Sequence, residues 1–102
     1  MPAPVKITVL KKAFYHELAD RYLAEGRDAG SCSILEEGQT FIYEGGAEMP
    51  EGLCPWAWIN IYPTCSTLNM GGFDNQWYAR GDLRVVCCTD GVRPVSFLLE
   101  AM

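Results

Sequence analysis

Five cysteines are the residues of this sequence best suited to chemistry, and their spacing limits which chemistry is open to them. Metal-binding thiols usually come in pairs about two to four residues apart, and redox thiols usually form a Cys-x-x-Cys pair. Neither arrangement occurs here, because successive cysteines lie 22, 11, 22 and 1 residues apart. Any shared site must therefore form by tertiary contact among Cys32, Cys54, Cys65, Cys87 and Cys88.

Cys54 is the strongest single candidate for a nucleophile or a metal ligand. It precedes Pro55, and proline is favoured at the first position of a helix, so Cys54 is predicted at or beside the N-cap. The positive end of a helix dipole favours a thiolate. The alternative is that Cys54 simply packs beneath Trp58. Cys65, on the same helical seam, would lie ~16 Å away, beyond the ~7 Å limit for a disulfide, and is predicted in the core.

A soft metal ion is one predicted use of the remaining thiols, and thiol sensing is another. Cys87 and Cys88 are neighbours on a predicted strand and must point to opposite faces, so one of them is expected in the core. Cys32 lies in a loop and is free to approach either. The metal site predicted from these residues comprises Cys32, Cys54 and Cys88, although the spacing of the ligands gives it little support.

A second group of residues is suited to binding a small anionic molecule. Arg93 lies beside a glycine turn, where a guanidinium can clamp a carboxylate or phosphate, and Asp90 belongs to the same turn. Aromatic side chains are the candidates for the apolar wall of a pocket, with core filling as the alternative. These are Trp56, Tyr62, Trp77 and Tyr78.

The elements that must position these residues follow from hydrophobic periodicity and turn signals. Alternating apolar residues predict strands over residues 5–10, 39–44, 83–89 and 95–99. A 3.6-residue period predicts a helix over 12–25, and a second helix starts at Pro55, is kinked or split by Pro63 and ends at Gly71-Gly72. The pair Asp90-Gly91 predicts a hairpin. The expected fold is a single α+β domain over residues 1–102, with two helices on one face of a mostly antiparallel four-stranded sheet.

Composition excludes several functional classes. The 102 residues carry a formal net charge of −5, which argues against nucleic acid or an anionic membrane as partner. Hydrophobic residues make up 49% of the chain, which argues against disorder. We find no secretory signal and no apolar run long enough to cross a membrane. The thiols are therefore expected to be reduced, and the protein cytoplasmic.

Four blocks of the sequence resemble a family of small, uncharacterised bacterial and archaeal proteins. They are VKITVLKKAF, CSILEEGQTF, GLCPWAWINIYP and CCTDGVRPVSF. The motifs W-A-W-x-x-I-Y-P and C-T-D-G-x-R-P are the most specific parts. The resemblance implies no activity or cofactor, but it directs attention to Cys32, Cys54, Trp56, Trp58, Cys88, Asp90 and Arg93.

Three functional hypotheses remain open at this point. The first is a thiol site around Cys54 that binds a soft metal ion or senses thiol chemistry. The second is a small enzyme or ligand-binding protein whose aromatic-lined pocket uses Cys54 or Arg93 on an anionic substrate. The third is a homo-oligomeric interaction module with exposed aromatic residues as its interface.

Overall fold

The computed structural model describes residues 3–73 and 77–102 and contains a four-stranded sheet and two α-helices. In chain order the elements are β1 (Val5–Lys12), α1 (His16–Tyr22), a short 3₁₀ helix (Gly26–Ala29), β2 (Thr40–Tyr43), α2 (Pro55–Asn69), β3 (Leu83–Cys87) and β4 (Val95–Ala101). The prediction of an α+β fold with a four-stranded antiparallel sheet and two helices is confirmed.

The sheet has the strand order β2-β1-β4-β3, and every neighbouring pair is antiparallel. Alternation along β1 places Val5, Ile7 and Val9 on the buried face of the sheet. Ile7 pairs with Phe41 on one side and with Leu99 on the other, so a continuous row of buried apolar side chains crosses three strands. This row forms the inner face on which the core is built.

The long helix α2 covers that inner face and contacts β1, β3 and β4. The predicted apolar seam begins at Cys54 and continues through Trp58, Ile61, Cys65 and Leu68. Cys54, Ile61, Cys65 and Leu68 are buried, but Trp58 is only half-buried, and Ala57 takes its place on the buried face. At the far end of the helix, the Asn69 side chain donates to the carbonyl of Ala3 over 2.7 Å, and the Ala3 amide donates back to Asn69 O over 2.9 Å. Packing and this reciprocal pair fix the orientation of α2 on the sheet.

Of the kink or split predicted at Pro63, the split does not occur, since the helix runs without a break from Pro55 to Asn69. Proline removes the hydrogen bond to the carbonyl four residues earlier, here that of Ile59. Both Pro63 and Ile59 are exposed, so water can hydrate this carbonyl. The carbonyl of Pro63 itself accepts a hydrogen bond from the Thr67 hydroxyl over 2.9 Å.

The first helix is much shorter than the predicted span of residues 12–25. Hydrogen bonds of the sheet engage the residues predicted to start this helix. Strand β1 extends to Lys12, and the amides of Ala13 and Tyr15 donate to Pro94 O and Val92 O. The periodicity predicts an apolar stripe of Tyr15, Leu18, Ala19, Tyr22 and Leu23. Of these residues only Ala19 is buried; Leu23 is half-buried and the other three are exposed. The main contacts of α1 are with the 3₁₀ helix.

Within the described residues, no helix combines the length and the apolar character that crossing a bilayer requires.

The packing of α2 predicts that Ile61→Ala lowers the free energy of unfolding by about 2–4 kcal/mol, because a fully buried side chain is replaced by a cavity. Ile59→Ala, in the same helix but at an exposed position, serves as the matched control and should change stability by less than about 0.5 kcal/mol. Urea denaturation followed by circular dichroism measures both. Equal losses for the two variants would contradict the assigned seam.

Candidate functional site

A pocket of about 380 Å³ lies where the start of α2 meets the loop before β2 and the β3–β4 connection. Its volume is within the ~300–1,000 Å³ typical of small-molecule sites. Three separate parts of the chain supply its walls. The lining residues are Cys32, Ser33, Ile34, Leu35, Cys54, Trp56, Ala57, Cys88, Thr89, Asp90, Arg93 and Val95.

The pocket brings together most of the site residues predicted from the sequence. The three thiols proposed as metal ligands line it, and so do three of the six residues proposed for binding an anionic molecule. They are Cys32, Cys54, Cys88, Trp56, Asp90 and Arg93. Since these residues span 62 positions of the chain from Cys32 to Arg93, their placement in one pocket depends on the tertiary fold.

Three of the four aromatic residues predicted for a pocket wall do not line this pocket. Trp77 is 86% exposed and stacks on Tyr78, with ring centroids 6.1 Å apart, and neither lines the pocket. Tyr62 packs instead against Trp58, at a centroid distance of 5.1 Å. The aromatic and glycine-bearing loop over residues 71–81 is predicted either to cover a pocket or to be a packed connection, and its residues 74–76 lie outside the described residues.

Trp56 is the aromatic residue that does line the pocket, and it is 67% exposed at the rim. Trp58 lies two residues further along α2 and therefore points elsewhere, towards Tyr43 at a centroid distance of 5.5 Å. The floor beneath Trp56 is apolar: Leu35, Ala57 and Val95 are each almost fully buried.

The Asp90 carboxylate organises the connection between β3 and β4. Its Oδ1 accepts hydrogen bonds from the amides of Val92 and Arg93, over 2.8 and 2.9 Å, and its Oδ2 accepts one from Arg93 Nε over 3.0 Å. Burial raises the pKa of Asp90, but the two amides and the Arg93 guanidinium outweigh it, and the pKa is lowered overall. Asp90 therefore acts first as the residue that shapes this loop and orients Arg93.

The Arg93 side chain is held in place through the Nε atom of its guanidinium. Nε donates to Asp90, whereas the terminal Nη1 and Nη2 groups make no hydrogen bond with the described part of the chain. An arginine oriented in this way presents its two terminal nitrogens as a planar donor pair, the geometry that matches a carboxylate or phosphate. Because Arg93 lines the pocket, this donor pair is available to a bound anion.

Cys54 is the N-cap residue of α2, as predicted, and is 7% exposed. The first amide N–H groups of a helix have no intrahelical partner. Pro55 has no N–H group, so the free N–H groups at this end of the helix are those of Trp56 and Ala57. Both residues line the pocket together with Cys54. The N-terminal end of a 15-residue helix thus contributes positive electrostatic potential to the pocket.

Cys88 and Cys32 complete the set of pocket thiols. The Cys88 amide donates to Val95 O over 3.0 Å, and the Val95 amide donates to Cys88 Sγ over 3.3 Å. The carbonyl of Cys32 accepts a hydrogen bond from Lys12 Nζ over 2.9 Å, which ties its loop to β1. Both cysteines are half-buried and pack against the core.

The other two cysteines lie outside the pocket. Cys65 is fully buried in the seam of α2, as predicted, and its burial raises the pKa of the thiol to about 12. Cys87 is exposed at the end of β3, so Cys88 is the member of the adjacent pair that packs inward, and it is half-buried.

A metal-binding cluster is not formed by the side chains in the described residues. Across residues 3–73 and 77–102, no three or more His, Cys, Asp or Glu side chains are grouped so that they could hold a metal ion. The loop before β2, the start of α2 and the β3–β4 connection meet at the pocket and bring to it Cys32, Cys54 and Cys88. The three thiols nevertheless do not converge on one point. The structure thus lends no support to the soft-metal hypothesis.

Sequence reasoning missed the contribution of the loop before β2. Leu35 is 1% exposed and forms part of the pocket floor, although it lies in a segment without strand or helix periodicity. Lys12 was assigned to a helix, but it ends β1 and holds the Cys32 loop. No local signal could have revealed either role, since both depend on how the loop docks.

The Asp90 loop gives a pH-dependent prediction. A carboxyl whose pKa is lowered on folding stabilises the protein above its ordinary pKa of 3.8, and this contribution is lost as the pH falls through the lowered value. Asp90→Asn keeps an oxygen acceptor for the amides but removes the charge, and should cost roughly 0.5–1 kcal/mol at pH 7.

The difference in unfolding free energy between the natural chain and Asp90→Asn should therefore shrink below about pH 4. Urea denaturation over a series of pH values measures it. A difference that stays constant from pH 7 to pH 3 would contradict the role given to the charge.

Comparison of the chain with protein-family models, with curated proteins and with solved structures found no match. The resemblance to a family of small bacterial and archaeal proteins therefore stays a prediction.

Proposed function

We propose that the pocket binds a small organic molecule that carries a carboxylate or a similar acidic group. The observation that carries this proposal is the guanidinium of Arg93, fixed by Asp90 through Nε and lining the pocket with both terminal nitrogens unengaged by the described residues. Arginine held at one edge is well suited to a second, bidentate partner.

The electrostatics of the pocket support an anionic ligand. Arg93 is the only cationic side chain among the described residues that line the pocket, and the N-terminal end of α2 adds to its potential. Asp90 also lines the pocket, but its carboxylate is already engaged by two amides and Arg93 Nε. The rest of this acidic chain repels anions in general. The ligand would therefore be selected by the match between its acidic group and the positive potential of the pocket.

The apolar part of the pocket supports a ligand with a hydrocarbon or aromatic body. Leu35, Ala57 and Val95 form an apolar floor, and the Trp56 ring stands at the rim with most of its surface exposed. A planar group placed against this ring would bury apolar area on both partners. An aromatic carboxylate combines the two features that the pocket offers.

Benzoate is a direct probe of this proposal, and benzamide, which has the same shape and no charge, is its matched control. We expect benzoate to shift the NMR resonances of the Trp56 indole and the Arg93 Nε group in a saturable way. Benzamide should bind at least about tenfold more weakly, because a charge-assisted hydrogen bond contributes about 1.5–3 kcal/mol.

Arg93→Gln should reduce benzoate affinity by about tenfold or more for the same reason. Arg80→Gln is the control variant, because Arg80 is an exposed arginine paired with Asp82 and Glu100 and does not line the pocket. Equal affinity for benzoate and benzamide, or benzoate shifts located away from the pocket, would contradict the proposal.

A further inference from the structure

We infer that Cys88 exchanges with a small disulfide that carries an acidic group, forming a mixed disulfide in the pocket. This inference rests on the proposed function, since it takes Arg93 as the group that holds the acid. It adds a reaction, a nucleophile and a class of substrate to a site otherwise assigned only to binding.

The distribution of thiols points to sulfur chemistry in this pocket. Three of the five cysteines line it and come from three separate parts of the chain. Cys65 takes no part, because it is fully buried and its pKa is raised to about 12. A ligand in this pocket would therefore meet an apolar floor and cysteine residues from three parts of the chain.

Among the pocket thiols, Cys88 is the one joined most directly to the anion-binding group. It lies at the base of the loop that carries Asp90 and Arg93, and that base is closed by the reciprocal hydrogen bonds between Cys88 and Val95. The Val95 amide donates directly to Cys88 Sγ over 3.3 Å and so fixes the sulfur relative to Arg93, two residues away from Val95.

Accessibility also favours Cys88 over Cys54. Cys88 is half-buried, whereas Cys54 is 7% exposed beneath the first turn of α2. The attacking sulfur must approach along the S–S axis of the disulfide, which requires an open side. Cys32 is half-buried as well, but it belongs to a different loop, which Lys12 ties to β1 and not to the loop that carries Arg93.

The reaction is a thiol–disulfide exchange and balances without a further reagent. Cys88 loses its proton to solvent, and the thiolate attacks one sulfur of the bound disulfide. A new bond forms between Cys88 Sγ and that sulfur while the S–S bond of the ligand breaks. The leaving thiolate takes a proton from solvent. The disulfide is the oxidant, Cys88 is oxidised, and the departing half is reduced.

The experiment uses 5,5′-dithiobis(2-nitrobenzoate), an aromatic disulfide with two carboxylates, and 2,2′-dithiodipyridine as the uncharged disulfide. All reactions are run on the folded chain with Cys87→Ser, which removes the exposed thiol outside the pocket. Each rate is divided by the rate of the same reagent with free cysteine, so that the intrinsic reactivities of the two reagents cancel.

We expect limited labelling followed by peptide mass spectrometry to find the dicarboxylate reagent first on Cys88. Arg93→Gln should slow this reaction by about tenfold more than it slows the normalised reaction with 2,2′-dithiodipyridine, because any effect on the thiolate is common to both reagents and only the dicarboxylate loses a charge-assisted hydrogen bond. Arg80→Gln should change neither rate. Mapping reports on the natural thiol, so the result does not depend on whether a Cys88 variant folds.

First labelling of Cys32 or Cys54, or a rate with the dicarboxylate that does not respond to Arg93→Gln, would overturn the inference. Benzoate binding distinguishes failure of the exchange reaction from failure of the proposed function. If benzoate binds in an Arg93-dependent way and Cys88 does not exchange, the pocket binds anions and the exchange reaction is wrong. If benzoate does not bind, both are wrong.

Discussion

The packing of α2 against the inner face of the sheet is the interaction on which the rest of the structure depends. It buries Ile61, Cys65 and Leu68 over the apolar rows of β1 and β4, and it fixes where the N-terminal end of the helix must lie. Asn60 donates to Cys87 O over 3.4 Å, which ties the same end of α2 to the end of β3. The pocket is formed at this junction, so the core and the candidate site share one constraint.

A second, smaller constraint gives the pocket its charge. The β3–β4 connection is closed by Cys88 and Val95 and shaped by Asp90, whose oxygens engage two amides and the Nε edge of Arg93. The loop therefore presents a guanidinium in one orientation beside an apolar floor. Because the donor is fixed before the ligand arrives, the entropic cost of binding is lower. For this reason we assign to Arg93 the recognition of the acidic group of the ligand.

Features governed by local chemistry were predictable from the sequence, and features governed by tertiary pairing were not. Pro55 predicted Cys54 as N-cap, and the three- and four-residue spacing predicted Cys65 in the core. The predicted first helix begins four residues later than expected, at His16 instead of Lys12, because sheet hydrogen bonds reach Tyr15. Likewise Trp77 was assigned to the pocket by residue type alone, and only the fold could place it outside.

A crystal structure of the protein with bound benzoate is the most direct test of anion binding by Arg93. We expect the carboxylate within hydrogen-bond distance of the Arg93 terminal nitrogens, the ring against Trp56 and the apolar floor, and Arg93 Nε still bonded to Asp90. Benzoate bound away from Arg93, or an Arg93 side chain that leaves Asp90 and points into solvent, would contradict it.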